Sequence, residues 1–186
     1  MAEESRNTQR IGFLLTPRFG LLSFAAAIEP LRAANLLSRS PLYEVVQLSV
    51  DGKPVRSSSG NEFACRNLRS DGELCHSIFV CAGGNPEDWT DVAPAYPVLR
   101  RLARQGIRIG AISSGAYLLA AAGVLQNYDF TIHWEHAPLL RETFPELSPR
   151  QARYVIDRDR VTCGGGIAPL DLMHALIRER MGSIFA

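Results

Sequence analysis

Arg108-Ile109-Gly110-Ala111-Ile112-Ser113-Ser114-Gly115-Ala116-Tyr117-Leu118-Leu119-Ala120 is the stretch on which the fold is decided. An apolar run of strand character enters a helical pattern through a tight Ser-Ser-Gly turn, the outline of a nucleophile elbow. Such a turn lifts one side chain, here Ser113, clear of the strand end and aims backbone N–H groups at whatever lies above it. An enzyme uses that geometry to attack a carbonyl. A binding protein uses the same donors to hold an anionic or polar ligand.

Upstream of the elbow, Ile11 to Leu15 reads as a buried first strand, and the apolar residues from Leu21 to Leu37 recur at helical spacing. Tyr43 to Val50 alternates into a second strand, and Asp51-Gly52-Lys53-Pro54 is a turn expected to open a hairpin with short strands before Cys65. Ser77 to Cys81 is another buried strand, ending in Ala82-Gly83-Gly84-Asn85-Pro86, where two glycines let backbone approach a ligand. A helix from about Pro97 to Arg104 closes at Gly106 and feeds the elbow strand. Beyond the elbow come a strand at Phe130 to Ile132, a helix over Glu135 to Thr143, a strand pair at Arg153–Ile156 and Val161–Cys163, and a last helix from Pro169 to Met181. Strands alternating with helices predict an α/β fold with a mostly parallel sheet covered on both faces. Ligands of such sheets collect at the strand carboxyl ends, where three loops meet: Gly83-Gly84-Asn85, Ser113-Ser114-Gly115 and the segment from His133.

The 186 residues make one domain with a single substantial core. With 46% hydrophobic and 21% charged residues the composition is globular, and a formal charge of +1 gives no general attraction to nucleic acid or anionic membrane. Lys53 is the one lysine among 20 basic residues, and the arginines are scattered. No apolar run approaches the about 20 residues of a membrane span, and the polar, acidic start is unlike a signal peptide. Cys65, Cys75, Cys81 and Cys163 form no CxxC pair, which favours a reducing, cytoplasmic setting; Cys81 and Cys163, each following an apolar strand, read as inert small core residues, with Cys81, at a strand edge, the more reactive of the two. His133 and His136 stand three apart, but no carboxylate or thiolate lies at a matching local spacing, so no metal and no cofactor are expected.

Five tracts in order carry a resemblance over nearly the whole chain: Phe19 to Ala25 with Ile28 to Asn35, Ala82-Gly83-Gly84-Asn85, Ala111 to Ala116, Thr131 to His136, and Thr162-Cys163-Gly164-Gly165-Gly166. They resemble the ThiJ/PfpI branch of the class I glutamine-amidotransferase-like superfamily, and within it the ligand-sensing half of AraC-family transcription regulators. The resemblance implies a flavodoxin-like three-layer sandwich that commonly forms homodimers. It also implies a helix-turn-helix domain after the sensor, which does not appear in residues 1–186, so DNA would be met only through a domain outside this chain.

Enzymes of that superfamily place a cysteine at the elbow and an acid on the first helix. Here the matching residues are Ser113 and Ser23, which argues for a site retired from catalysis. The expected function is small-molecule sensing, with a ligand site of Gly83, Gly84, Asn85, Ser113, Ser114, His133, Trp134 and Glu135. The resemblance to regulators of quaternary-amine and amino-acid catabolism implies a small zwitterion such as a betaine, carnitine or arginine, its cation facing Trp134 or Glu135 and its carboxylate the elbow N–H groups. The alternative is a serine hydrolase or amidase with Ser113 as nucleophile, His133 as base, and the Gly84 and Ser114 N–H groups as an oxyanion hole.

Overall fold

The computed structural model describes residues 8–186. Buried apolar segments β1 (Gln9–Leu15), β6 (Ser77–Ala82) and β7 (Arg108–Ser113) form the centre of a seven-stranded sheet in the order β5-β2-β1-β6-β7-β9-β8. β2 (Tyr43–Ser49), β5 (Arg66–Asn67) and β9 (Arg160–Cys163) run parallel to the central strands, and β8 (Tyr154–Asp157) pairs antiparallel with β9 at the edge. Near-continuous burial along β1, β6 and β7 is what a parallel sheet covered on both faces requires. Alternate residues serve two cores. Phe13, Phe79, Cys81, Ile112 and Cys163 face the layer of α1 (Leu21–Ser38) and α6 (Ala168–Met181), whereas Leu14, Val80 and Ala111 face α3 (Ala95–Arg104), α4 (Gly115–Ala121) and α5 (Ala137–Thr143). A one-turn helix, α2 (Leu68–Asp71), follows β5. This is the flavodoxin-like three-layer sandwich that the resemblance implied.

Two local expectations are corrected. The turn at Asp51–Pro54 does not open a hairpin from β2; Ser49 Oγ instead donates to the Lys53 carbonyl at 2.7 Å and the chain leaves the sheet. The short strands expected between Val55 and Cys65 are present and pair with each other, β3 (Val55–Arg56) with β4 (Glu62–Phe63), their turn closed by Gly60 N–H donating to the Ser57 carbonyl. Phe130 to Ile132 is no strand, because β9 already occupies the edge of β7 it would need. Its backbone is satisfied differently: Thr131 N–H donates to Thr162 Oγ1, and Thr131 Oγ1 donates to the Arg150 and Ala152 carbonyls.

Among the described residues no helix is long and apolar enough to cross a membrane.

Candidate functional site

The elbow is built as the sequence predicts. Ser113 has φ 60°, a left-handed conformation that costs a non-glycine residue about 1–2 kcal/mol, and α4 begins two residues later. Gly115 is demanded by packing: a Cβ there would overlap the Val80 carbonyl oxygen of the neighbouring strand. Gly165, in the loop after β9, closes over the elbow from the other side, so that an added Cβ would come within 2.7 Å of Ser113 Oγ.

The two serines have different fates. Ser113 is half-buried, and among the described residues its hydroxyl has no histidine partner; the link to His133 is a backbone one, His133 N–H donating to the Ser113 carbonyl at 3.3 Å. Ser114 is buried, and its Oγ is hydrogen-bonded to His136 Nδ1 at 2.8 Å. The serine–histidine contact therefore joins Ser114 to His136, not Ser113 to His133.

His133 caps a 3₁₀ turn, Trp134–His136, that leads into α5. Its Nδ1 lies 3.8 Å from Glu135 Oε2. His136 is tucked inside against the Trp89 ring, at 5.1 Å between centroids. Burial holds its pKa below the ordinary 6.5; Glu135 pulls against that shift and His133 adds to it. The same turn brings Glu135 to both histidines, with one ligand atom of each of the three within 4.8 Å of the others, although the sequence had suggested no carboxylate at a matching spacing. Trp134 points outward and is 79% exposed.

The Gly83-Gly84-Asn85 loop has structural work of its own. Gly83 lies against the backbone of Arg18 and Gly20, and its carbonyl accepts from Trp89 Nε1 at 2.7 Å. Asn85 and Asp88 form a capping box at the start of the 3₁₀ helix Pro86–Val92, Asn85 N–H donating to Asp88 Oδ2 at 2.8 Å. Trp89 itself escaped the sequence reading, since nothing in its local pattern shows that it ties this loop to His136.

At the same edge of the sheet a cavity of about 420 Å³ opens between Thr131, Trp134, Arg141, Arg150 and Gly164. Of the residues expected to bind ligand, Trp134 alone lines it. Arg150 is held bidentate by Asp129, whereas Arg141 is exposed and, among the described residues, has no carboxylate partner. The thiols lie elsewhere. Cys81 and Cys163 are sealed beneath α1 and α6 as the core residues expected, burial pushing Cys163 up to about 12 and Cys81 well above its ordinary 9.0, so the strand-edge position of Cys81 gives it no greater reactivity.

Fold and elbow together define an α/β sandwich of the nucleophile-elbow class in which the elbow side chain is a serine whose hydroxyl, among the described residues, has no histidine partner. The chain belongs to the DJ-1/PfpI family, whose model matches residues 10–179. It is 61% identical over 185 residues to the HTH-type transcriptional regulator GlxA of Rhizobium meliloti, covering 100% of this chain and 57% of that one. It is 39% identical over 180 residues to the HTH-type transcriptional regulator GbdR of Pseudomonas aeruginosa, covering 96% and 48%. An AraC family transcriptional regulator from Pseudomonas putida superposes with a TM-score of 0.87 at 30% identity, over 95% of each chain. The chain spans about half the length of the curated relatives it matches.

Proposed function

We propose that this domain is the small-molecule-sensing and dimerising part of an AraC-type transcription regulator, with DNA contacted by a helix-turn-helix domain outside the sequence. The observation that carries the reading is 61% identity along the full chain to a protein named as an HTH-type regulator. The site supports it. Among the described residues the Ser113 hydroxyl has no histidine partner, the resemblance aligns Ser23 with the position of the family's acid, and the buried thiols cannot stand in for an elbow cysteine. An elbow without a nucleophile still supplies a shaped, partly polar edge.

The cavity supports one class of effector. An indole face attracts quaternary or primary ammonium, and a free guanidinium attracts carboxylate. Trp134 and Arg141 on one cavity therefore suit a small zwitterion of the betaine or amino-acid kind. Arg141 takes the carboxylate role first expected of the elbow N–H groups. Binding that favours one of two dimer arrangements would alter the spacing of the attached DNA-binding domains, and only that difference in affinity can transmit a signal.

Thermal unfolding against betaines, amino acids and simple carboxylates tests the reading. A ligand at a hundred times its dissociation constant adds about 2.7 kcal/mol, a rise of roughly 5–10 °C for a domain of this size. A shift confined to zwitterions supports it. A flat panel, together with acylation of Ser113 by activated esters that is lost in Ser113→Ala, would move the assignment to a hydrolase.

A further inference from the structure

The turn His133-Trp134-Glu135-His136 gathers an exposed carboxylate, a half-buried imidazole and a buried one at a single place. His133 stands at the N-cap of the 3₁₀ turn and His136 at its end, and their rings lie 6.3 Å apart between centroids. The His136 N–H donates to the His133 carbonyl at 3.1 Å and holds the turn closed. One ligand atom from each of His133, Glu135 and His136 lies within 4.8 Å of the other two, and His133 Nδ1 is already 3.8 Å from Glu135 Oε2. We propose that His133, Glu135 and His136 form a binding site for a divalent transition-metal ion of zinc-like chemistry.

Two further features fit such a site. Ligands on a tetrahedral zinc, bonded at about 2.0–2.1 Å, stand roughly 3.3–3.5 Å apart. Glu135 is exposed and His133 partly so, and these two side chains would make the adjustment to that spacing. His136 is the fixed member: Ser114 Oγ engages its Nδ1 at 2.8 Å and Trp89 packs against its ring. When Nδ1 donates to that hydroxyl, the lone pair sits on Nε2, the arrangement in which an outer partner orients a metal-bound histidine. Ser114 is thus a positioning residue.

The donor set also selects the ion. Two imidazole nitrogens with one carboxylate suit zinc, nickel, copper or cobalt, whereas calcium and magnesium require oxygen ligands throughout. Three protein ligands leave a coordination position for water or a small anion. None of the three lines the cavity at Trp134 and Arg141, so this site stands or falls separately from effector binding.

The test is titration of the chelator-stripped protein with Zn²⁺ alone, in competition with a chromogenic chelator at neutral pH. Co²⁺ replaces it in a parallel run, where a visible d–d band reports the ligand geometry. One equivalent is expected to bind at micromolar concentration or tighter. His133→Ala and Glu135→Gln, both at accessible positions, should each weaken binding at least tenfold, and Ser114→Ala by roughly 10–100-fold. His174→Ala, at an exposed histidine outside the turn, should leave affinity and cobalt spectrum unchanged. Absence of micromolar binding, or wild-type affinity in either His133→Ala or Glu135→Gln, overturns the site.

Discussion

Ser113 and Ser114 are neighbours with opposite obligations. The Ser113 hydroxyl can be removed at little cost, because no histidine depends on it. Removing the Ser114 hydroxyl strands a buried imidazole nitrogen, which costs about 1–3 kcal/mol. Urea unfolding should therefore place Ser114→Ala at least 1 kcal/mol below the parent and Ser113→Ala within about 0.5 kcal/mol of it; the reverse order would mean that Ser113 holds the histidine. Gly115→Ala forces a methyl group onto the Val80 carbonyl oxygen, and overpacking against backbone costs about 1–3 kcal/mol or more. An unchanged urea midpoint for that variant would refute the packing argument. The elbow was legible in the sequence because its cause is local: an apolar strand, two serines and a glycine. The Ser114–His136 bond was not, since the partners lie on separate elements and only the folded chain joins them.

Elements with strong periodicity emerge where the sequence puts them. The helical spacing from Leu21 to Leu37 became α1, and the apolar runs became β1, β6 and β7. Phe130 to Ile132 has equally strand-like composition but no free edge to pair with, a fact fixed by the position of β9 rather than by its own residues. The position of the thiols on β6 and β9 has a consequence at high pH. Cys163 is raised from 9.0 to about 12 in the folded chain, so the neutral thiol is the form the fold retains. Its contribution is complete below pH 9 and is lost as pH rises towards 12, with a slope of about 1.4 kcal/mol per pH unit for this one thiol. Cys163→Ala should fold with lower stability at neutral pH yet show a shallower alkaline decline; equal slopes would show that Cys163 is not protected. The 3₁₀ turn yields an optical prediction. Trp89 is buried and Trp134 exposed, so iodide should quench one fraction of the fluorescence, and Trp134→Phe should abolish that fraction. Quenching that persists in the variant would place Trp89 in solvent.

At the scale of the whole molecule, the sheet separates the packed core from the edge at which recognition is proposed. Its two faces are consumed by helices, and the carboxyl edge is left to carry the elbow, the 3₁₀ turn and the cavity. Leu36 and Leu37 are exposed near the end of α1 and Leu22 at its start, apolar surface that the proposed dimer would have to cover. Sedimentation equilibrium should give twice the chain mass at micromolar concentration, and Leu36→Glu with Leu37→Glu should shift it to monomer; a monomeric parent would remove dimerisation from the account. The most direct test of the central claim is calorimetric titration of the domain with small zwitterions, comparing the parent with Arg141→Ala and Trp134→Ala. The account predicts saturable one-site binding of at least one betaine or amino acid, weakened by about 1.4 kcal/mol or more, a tenfold loss, in each variant. Binding of equal strength in parent and variants, or heat from none of the zwitterions, would contradict it.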